Sequence, residues 1–315
     1  MHVLIAGGAG FIGSHLCDSL LAEGHDLTIV DNFITGRRQN IAHLDGDPRV
    51  TLLQADISEP LPALPPVDRV FHLASPASPV GYMLHPIATM RTNSQGTHNL
   101  LQLAREHGAR FLFTSTSEAY GNPLIHPQPE TYFGNVNPIG PRACYDESKR
   151  YAEALVMEYV RQYDLDARIV RIFNTYGPRN DPQDGRVIPN FISAALTNAP
   201  IVIFGDGQQT RSLCFVSDLV RGLRAMMDTE EVRGRLINLG NPDERTIADL
   251  AQSIVSICGS TSMVEFLPAR EDDPERRCPD ITLAQRLLGW QPTIGLEHGL
   301  TRTIEYFRSS ELVTV

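Results

Sequence analysis

Short apolar runs alternate with amphipathic stretches through the first half of the chain, and no other feature constrains the fold as much. The apolar runs have the length and composition of buried strands, at residues 3–6, 27–30, 50–53, 70–73, 111–114 and 167–172. The stretches between several of them have helical spacing, at residues 11–23, 87–107 and 145–163. Strands that alternate with helices form parallel sheets covered on both faces. We therefore expect an α/β fold with a doubly wound parallel sheet.

The pattern changes after residue 174, where glycine, proline and polar residues cluster at 177–186. Helical patterns follow at residues 187–198, 217–227, 247–258 and 296–307, and strand-like segments at 201–204 and 237–239. We expect residues 1–175, together with 213–240, to form a Rossmann-type domain. Residues 176–212 and 241–315 would form a smaller α/β C-terminal lobe, with a ligand bound in the cleft between the two.

Composition limits the classes of function and of compartment. A length of 315 residues fits one large domain or two joined ones, and the net charge of -10 argues against a nucleic-acid partner. The five cysteines are scattered without a CxxC pair, so neither a disulfide framework nor a metal site is expected. The first apolar run is too short for a signal peptide or a membrane span. We expect a soluble, cytoplasmic protein without a membrane partner.

Three glycines at intervals of three residues follow the first predicted strand and open the first predicted helix. They are Gly7, Gly10 and Gly13, with Phe11 and Ile12 between the last two. Glycines at this place permit a tight turn and let the backbone approach a pyrophosphate. The pyrophosphate then meets the unpaired N–H groups at the positive end of the helix. A glycine turn alone is common in loops, so the neighbouring residues decide whether it indicates a dinucleotide site.

The ends of the next two predicted strands supply that context. Asp31 ends the second strand about 20 residues beyond the turn, where a carboxylate binds the ribose hydroxyls of a dinucleotide, and Asn32 follows it. A carboxylate repels the 2′-phosphate of NADP, so NAD is the expected cofactor, although Arg37 and Arg38 lie close by in the sequence. Asp56 ends the third strand and could contact the adenine amine, or could be a solvated turn residue.

Tyr145 and Lys149 are four positions apart at the start of a helical pattern. Such positions lie on one face of a helix, so the phenol and the ammonium group can share a site. A free tyrosine has a pKa of about 10, too high for a base at neutral pH. A nearby cation lowers it. The spacing makes Tyr145 a candidate proton acceptor, although an isolated match of this kind also occurs by chance on protein surfaces.

Hydroxyl side chains follow the fifth predicted strand, at residues 114–117. Thr116 among them can hydrogen-bond a substrate oxygen opposite Tyr145, because ligands bind at the carboxyl edge of such sheets. Turn-forming hydroxyls are a common alternative. The glycine turn, Asp31, the strand-end hydroxyl and the Tyr-x-x-x-Lys pair in this order make that alternative a poor explanation.

Over essentially its full length the chain resembles the extended short-chain dehydrogenase/reductase superfamily. More narrowly, it resembles the UDP-glucuronate decarboxylases, also called UDP-xylose synthases. The resemblance rests on residues 30–33 (VDNF), 72–79 (HLASPASP), 115–121 (STSEAYG), 134–147 (GNVNPIGPRACYDE) and 171–179 (RIFNTYGPR). The stretch at 134–147 is much more specific than any motif of the superfamily.

The resemblance implies a reaction on UDP-glucuronate. Tyr145 would take the proton of the sugar 4-hydroxyl while hydride passes from C4 to NAD⁺, with Lys149 lowering the tyrosine pKa and holding the nicotinamide ribose. Thr116 would orient the C4 oxygen. The resulting 4-keto sugar is a β-keto acid and loses carbon dioxide. Reprotonation at C5 and return of the hydride would give UDP-xylose and regenerate NAD.

Ser117 and Glu118 distinguish this reaction from its relatives. Related nucleotide-sugar 4,6-dehydratases have an Asp-Glu pair here, whose aspartate protonates a departing 6-hydroxyl. Serine is a poor donor for that group, so loss of a hydroxyl is disfavoured while loss of a carboxylate remains. Glu118 could act on the substrate carboxylate, relay the C5 proton or form a structural ion pair.

The resemblance also assigns residues to the substrate. Asn174 and Arg211 match diphosphate-binding positions, and Phe204 matches an aromatic residue beside the uracil. Arg277 matches an arginine proposed as an acid or as a partner of the carboxylate in related decarboxylases. A binding role suits Arg277 better than that of a general acid, because an arginine pKa is too high for an acid. Two further arginines could face the anion, although solvated arginines are the commoner case: Arg91 and Arg270.

Two alternatives remain open at the level of function. One is a nucleotide-sugar 4-epimerase or 4,6-dehydratase, and the other is a non-catalytic, NAD-sensing protein on the same fold. A sensing protein would be expected to lack Tyr145 or Lys149, and both are present. The family pairs its subunits through long helices that match residues 87–107 and 145–163, so the resemblance also implies a homodimer.

Overall fold

The computed structural model describes residues 1–268 and 276–310. The strands of this part of the chain are β1 (His2–Ala6), β2 (Asp26–Asp31), β3 (Val50–Gln54), β4 (Arg69–His72), β5 (Arg110–Thr116), β6 (Ala167–Ile172), β7 (Thr175–Tyr176), β8 (Ile201–Phe204), β9 (Thr210–Ser212), β10 (Cys214–Phe215), β11 (Leu236–Leu239), β12 (Glu244–Thr246), β13 (Val264–Leu267) and β14 (Arg276–Arg277). Its α-helices are α1 (Phe11–Ala22), α2 (Pro79–Leu84), α3 (Pro86–Arg91), α4 (Thr97–His107), α5 (Ala143–Tyr163), α6 (Val187–Leu196), α7 (Val216–Asp228), α8 (Ile247–Cys258), α9 (Thr282–Leu288) and α10 (Leu296–Ser309).

Seven strands form a single parallel sheet in the order β11-β6-β5-β4-β1-β2-β3. The order runs outward from β1, which pairs in parallel with both β2 and β4, so that Ala6 lies opposite Val30 and His72. The six strands predicted from the first half of the sequence and the returning strand at 237–239 all belong to this sheet. The doubly wound, Rossmann-type fold is therefore confirmed. In such sheets a binding crevice opens where the strand order reverses, here at the carboxyl ends of β1 and β4.

The central strands are apolar on both sides because each side of the sheet is covered by helices. Val3 and Ile5 point into one core, on the side where α1 packs against α7, and Leu4 and Ala6 point into the other, on the side of α4 and α5. Burial on both faces explains why these strands read as continuous apolar runs rather than as alternating ones. The helices on the two faces thus fix the positions of α1 and α5 relative to the carboxyl edge of the sheet.

Three smaller sheets lie outside the large one in the described residues. One has the order β12-β9-β14, one pairs β13 with β8, and one pairs β10 with β7. Helices α6, α8 and α10 pack against one another beside them, whereas α7 packs against α1, β5 and β6. These contacts agree with a chain that leaves the first domain and returns to it. The exact lobe boundaries, at 176–212 and 241–315, stay a prediction, and residues 269–275 and 311–315 lie outside the described part.

The elements differ from the sequence-based expectation in two respects. The helix expected at 87–107 is divided into α3, a π-helical turn at Thr92–Gly96 and α4. Helices α2 and α9 were not anticipated, because six or seven residues are too few to show a period. Of the helices in the described ranges, none combines the length and the apolar character needed to cross a lipid bilayer.

Candidate active site

A cavity of about 720 Å³ opens at the carboxyl edge of the large sheet. A smaller cavity of about 60 Å³ adjoins it and shares the lining residues Gly7 and Gly10. The large cavity is lined by the predicted site residues Gly7, Gly10, Phe11, Ile12, Gly13, Thr116, Ser117, Glu118, Tyr145, Lys149, Asn174, Phe204, Arg211 and Arg277. The small one is lined by the others, Asp31, Asn32 and Asp56. The fold thus brings every site residue predicted from sequence to one continuous surface.

The glycine turn after β1 is packed backbone against backbone. Gly7 has φ +84°, and a Cβ atom on it would lie 2.6 Å from the backbone nitrogen of Ala74, after β4. A Cβ atom on Gly13 would lie 2.1 Å from the Gly7 carbonyl oxygen. Gly10 precedes α1, whose first turn has neither an acidic side chain nor a side-chain cap. Glycine is therefore required here by contact, and the N–H groups of the helix end lie free of a capping side chain.

Asp31 joins the end of β2 to this turn. Its Oδ2 atom accepts a hydrogen bond from the Ala9 N–H and its Oδ1 atom accepts one from the Phe33 N–H, both at 2.9 Å. Burial raises the pKa of the carboxyl, and these two bonds oppose the rise. Nearby, the Asn32 amide donates to Asp56 Oδ2 at 3.1 Å. Asp31 therefore orders the glycine turn as well as lining the small cavity.

Tyr145, Lys149 and Thr116 meet where α5 crosses the end of β5. All three are buried, with 5%, 2% and 7% of their surface exposed, respectively. The Lys149 ammonium group donates to the Thr114 carbonyl oxygen at 2.9 Å and lies 5.9 Å from the centre of the Tyr145 ring. The Tyr145 phenol hydrogen-bonds the Thr116 hydroxyl. The helical spacing read from the sequence thus brings a phenol, an ammonium group and a hydroxyl together.

Burial dominates the protonation of this pair. It raises the pKa of Tyr145 to about 12, and the hydrogen bond to Thr116 offsets this only in part. It lowers the pKa of Lys149 to about 7, against the attraction of Glu153. The spacing of Tyr145 and Lys149 suggested that the phenol pKa is lowered. In the protein without ligands the phenol pKa is raised instead. The reason is that both groups are removed from water, which favours the neutral forms.

Lys149 is also the single lysine of the sequence, since the other basic side chains among the 27 lysines and arginines are arginines. Its presence in the cavity is a compositional signal that the sequence reasoning did not use. Arginine cannot replace lysine where a compact ammonium group with an adjustable pKa is needed. A lone lysine in an arginine-rich chain therefore points to a chemical role by its residue type alone.

Glu118 lies between two guanidinium groups. Arg142 donates to its Oε2 atom at 2.8 Å and Arg277 pairs with its Oε1 atom. Arg277 also donates to the Gly121 carbonyl oxygen at 3.0 Å. Burial alone would raise the pKa of Glu118, but Arg277 and Arg142 outweigh it and hold that pKa below its usual range. Glu118 is therefore an ionised carboxylate beside Ser117, and Arg142 is a site residue that the sequence reasoning missed.

The far end of the cavity carries the residues expected to bind a nucleotide. Arg211 on β9 lies opposite Arg277 on β14 in the parallel pairing of these strands. Phe204 ends β8, and the Asn174 carbonyl oxygen accepts a hydrogen bond from the Cys214 N–H at 2.9 Å. The structure thus places Arg211 and Arg277 opposite each other on paired strands, and the Arg277 guanidinium group pairs with Glu118.

The two other arginines named as candidates are outside this arrangement. Arg91 pairs with Glu59 on the surface and does not line the cavity. Arg270 lies outside the described residues. The structure therefore offers no support for a role of Arg91 in binding the anion.

Comparison with known proteins identifies the class to which this site belongs. The model of the NAD-dependent epimerase/dehydratase family matches residues 3–240. The chain belongs to this family. The resemblance to extended short-chain dehydrogenases/reductases is thereby confirmed, and the glycine turn, the strand-end hydroxyl and the Tyr-x-x-x-Lys pair are features of a family member.

Individual relatives narrow the comparison. UDP-glucuronic acid decarboxylase 1 of Danio rerio is 52% identical over 305 residues, which are 97% of this chain and 72% of that protein. A UDP-glucose 4-epimerase structure from Thermotoga maritima has a TM-score of 0.89 and 32% identity, and the match covers 98% of this chain and 99% of that one. A UDP-glucuronic acid 4-epimerase from Bacillus cereus, solved with UDP-glucuronic acid and NAD, has a TM-score of 0.87 and 28% identity, with the same coverage.

The family is NAD-dependent, and the residues at the sheet edge fit this cofactor. A Cβ atom on Gly7 or Gly13 would collide with neighbouring backbone, so glycine permits the tight turn that brings the start of α1 to the sheet edge, where a diphosphate binds in this fold. The start of α1 offers unpaired N–H groups and the positive end of the helix dipole. Asp31 supplies a carboxylate at the end of β2, where the ribose of a dinucleotide binds in this fold.

The described residues include a group of potential metal ligands away from this site. The ligand atoms of His126, Glu244 and Cys278 lie within 4.8 Å of one another. The Arg276 guanidinium group, however, lies 2.9 Å from His126 Nε2 and 3.4 Å from Glu244 Oε2. An arginine already supplies the positive charge at this point, so we assign no metal to it, and the expectation of a metal-free protein stays a prediction.

Proposed function

We propose that this protein decarboxylates UDP-glucuronate to UDP-xylose with the help of bound NAD. The observation that carries the proposal is the ionised Glu118, held by Arg142 and Arg277, next to Ser117 and within the cavity that contains Tyr145. A serine at 117 provides no acid for a departing hydroxyl. The relative with 52% identity over 97% of this chain is named a UDP-glucuronic acid decarboxylase, which supports the same reaction.

The cofactor would be held by the turn and by the strand ends. Gly7, Gly10, Phe11, Ile12 and Gly13 would bind its diphosphate, Asp31 and Asn32 its adenosine ribose, and Asp56 its adenine, with Tyr145 and Lys149 at the nicotinamide ribose. When bound, NAD accepts a hydride from C4 of the sugar, returns it at the end of the cycle, and brings a positively charged ring into the cavity.

Tyr145 would accept the proton of the 4-hydroxyl, with Thr116 hydrogen-bonded to the same oxygen. Because burial raises the pKa of the phenol to about 12, Tyr145 needs positive charge close by to act as a base at neutral pH. Lys149 supplies part of it as long as the lysine is protonated. Arg186 also lowers the pKa of the phenol, so the charge on Lys149 would add to that of Arg186 in making Tyr145 a base.

The 4-ketone makes the substrate a β-keto acid. The bond between C5 and the carboxyl carbon then breaks, carbon dioxide leaves, and the electron pair moves into the C4 carbonyl. Thr116 and the protonated Tyr145 would stabilise the developing charge on that oxygen by donating hydrogen bonds. Arg277 would bind the substrate carboxylate before it leaves, and Glu118 would fix the orientation of both guanidinium groups.

The charge of the cavity suits an anionic substrate. In the described part of the chain its lining includes the arginines Arg37, Arg142, Arg179, Arg186, Arg211 and Arg277, but only the acidic residues Glu118, Asp181 and Asp184. A protein with a net charge of -10 therefore has a locally positive cavity. Arg211 and Asn174 would bind the diphosphate of the substrate, and Phe204 would stack on the uracil.

The proposal is tested by incubating the purified protein with UDP-glucuronate and NAD and analysing the nucleotide sugars by mass spectrometry. The expected product has lost carbon dioxide and co-migrates with UDP-xylose. A product of unchanged mass would indicate a 4-epimerase, and a product that has lost water would indicate a dehydratase. Binding of NAD without any conversion of a nucleotide sugar would favour a sensing protein.

We further propose that the protein is a homodimer paired through α3, α4 and α5. Support comes from large apolar side chains that are exposed on α2 and α3, among them Leu84 at 70% and Ile87 at 67%. Both of these helices pack against α5, so the exposed side chains border the outer surface of that helix. Exposed apolar surface of this kind is typical of an interface between subunits.

We also propose a cytoplasmic location. The five cysteines are all free, and Cys17, Cys214 and Cys278 are buried, which suits a compartment that keeps thiols reduced. Fractionation of cells with an antibody against the protein would test this, and recovery with secreted or periplasmic proteins would contradict it.

A further inference from the structure

A buried ion pair lies one helical turn beyond Lys149, where the proposed reaction assigns no role. Glu153 on α5 and Arg171 on β6 are both more than nine-tenths buried. Arg171 Nε donates to Glu153 Oε1 at 2.8 Å, and its terminal nitrogen donates to Oε2 at 2.7 Å. The Ser115 hydroxyl on β5 donates to Oε1 at 2.5 Å. Three hydrogen bonds from two strands therefore fix the position of this carboxylate.

The same pair continues a series of contacts between α5 and β5. Tyr145, Lys149 and Glu153 follow one another at intervals of four residues, so they lie along one face of the helix. They contact consecutive residues of the strand: the phenol bonds the Thr116 hydroxyl, the ammonium group bonds the Thr114 carbonyl oxygen, and the Glu153 carboxylate bonds Ser115. The Glu153 carboxylate therefore lies one helical turn from Lys149 on the same face, and the two side chains bond to adjacent residues of β5.

The charged and titratable groups around Lys149 come from three elements. His72 on β4 is neutral, because burial and then Lys149 lower its pKa well below the usual value. The Phe113 ring of β5 lies 4.7 Å from the ammonium group, and the Tyr145 phenol belongs to the same helix. Glu153 is the carboxylate that attracts the lysine charge, with Arg171 of β6 paired to it. The carboxylate thus acts against the cost of burying the ammonium group.

We propose that Glu153 is a positioning residue that keeps Lys149 in place and in its charged form, and that Arg171 and Ser115 serve to hold Glu153. The inference rests on the proposed function, because the charge of Lys149 matters only if Tyr145 acts as a base. It gives a chemical reason for a buried ion pair, whose desolvation costs more free energy than apolar side chains of similar size would.

A small change in electrostatic attraction is enough to change the protonation of Lys149. Burial brings the pKa of Lys149 down to about 7, so near neutral pH the charged and neutral forms have similar populations. A modest loss of attraction therefore removes most of the charged form at neutral pH.

The test measures the titration of Lys149 directly. Because the sequence contains one lysine, labelling with ¹³C- and ¹⁵N-lysine gives the side-chain resonance of this residue alone. In Glu153→Gln we expect the titration midpoint of that resonance to move to lower pH by about one unit or more. The matched control is Glu158→Gln, which removes an exposed carboxylate from the same helix, and its midpoint should equal that of the wild type.

A second variant covers the case in which Glu153→Gln fails to fold, since an unpaired buried guanidinium group is destabilising. The double variant Glu153→Gln, Arg171→Met removes both charges and should fold, with a midpoint that is again lower than in the wild type. An unchanged midpoint in either folded variant overturns the proposal.

Turnover gives an independent reading. For the reaction of UDP-glucuronate, the alkaline limb of kcat/KM should move to lower pH in Glu153→Gln, because the required charge is lost earlier. A uniform loss of activity at every pH would mean that Glu153 has a structural role only. If the wild type fails to convert the sugar, the proposed function fails, while the titration of Lys149 still decides whether Glu153 sustains its charge.

Discussion

Tyr145 is held in the cavity by two contacts that do not depend on a ligand. Its ring is stacked on that of Tyr82, with the ring centres 5.0 Å apart and the planes inclined by 9°. Its phenol has the Thr116 side chain beside it, which lowers the phenol pKa by hydrogen bonding. Aromatic stacking on Tyr82 fixes the plane of the Tyr145 ring before a substrate arrives.

We therefore expect Tyr145→Phe to separate chemistry from structure. The ring and its stacking on Tyr82 remain, so the melting temperature and NAD binding should stay close to those of the wild type. Turnover of UDP-glucuronate should fall by roughly 10²- to 10⁴-fold, because the proton acceptor is gone. The assay is mass spectrometry of the nucleotide sugars, with the exposed Tyr151→Phe as control. Substantial remaining turnover would show that another group takes the proton.

For single residues, the sequence predicted which side chains lie together in the site, but it did not predict their protonation states. The sequence identified Tyr145, Lys149 and Thr116, because a spacing of four residues and the end of a strand are local signals. Tyr82 and Arg142 were missed because their partners, Tyr145 and Glu118, are distant in the sequence. The raised pKa of the phenol depends on how much water the tertiary structure removes, which no local pattern reports.

Among the elements, the glycine turn and α1 bear most directly on cofactor binding. The contact between Gly13 and the Gly7 carbonyl oxygen leaves no room for a methyl group, since a Cβ atom would lie 2.1 Å from that oxygen. The first turn of α1 therefore touches the end of β1. This closeness is what places the N–H groups of the helix at the sheet edge.

We expect Gly13→Ala to open this turn and weaken NAD binding by about tenfold or more, a loss of roughly 1.4 kcal/mol. Isothermal titration calorimetry with NAD measures the effect without any need for turnover. The control is Gly295→Ala, which also changes a residue just before a helix but has open space around its Cβ position. Equal affinity of the two variants for NAD would show that the close contact is not needed.

The sequence predicted long elements well and short ones poorly. Each strand of the large sheet was found because a buried parallel strand is a continuous apolar run. The small sheets contain strands of two to four residues, and of these only the segment at 201–204 was predicted, because such short strands show no period. The π-helical turn at Thr92–Gly96 was also unforeseen, because its extra residue depends on buried contacts such as the hydrogen bond from Asn93 to Ser148.

For the whole molecule, the proposed dimer gives a direct prediction. Ile87→Arg places a charge on an exposed apolar side chain of α3, and we expect it to convert the dimer into a monomer while the fold is retained. Light scattering coupled to size-exclusion chromatography reports the mass. Leu124→Arg is the control, because Leu124 is equally apolar and exposed but lies in the loop region after β5. A dimer that persists in Ile87→Arg would place the interface elsewhere.

Stability should depend on pH through Asp146. Burial, followed by the nearby charge of Glu118, raises the pKa of this carboxyl to about 7, whereas an aspartate in the unfolded chain has a pKa of about 4. Between these values the folded protein holds a proton that the unfolded chain has lost, so the contribution of Asp146 to stability declines as pH rises from about 4 to 7.

Asp146→Asn removes this contribution. We expect the variant to gain free energy of unfolding relative to the wild type at pH 8, by a few kcal/mol at most, and to gain less at pH 4.5. Urea denaturation at the two pH values measures both differences. An equal difference at both would mean that Asp146 is ionised in the folded protein.

Because the single lysine is buried, cleavage by a lysine-specific protease can be used to detect local unfolding of α5. An endoprotease specific for lysine has one peptide bond to cleave, after Lys149, and that bond lies within α5 with its side chain packed against β5. Cleavage requires α5 to leave the sheet, and it yields fragments of 149 and 166 residues, since 315 less 149 is 166. At low protease the rate at which these two fragments form follows the population of molecules open at the active site, and at high protease it follows the rate of opening.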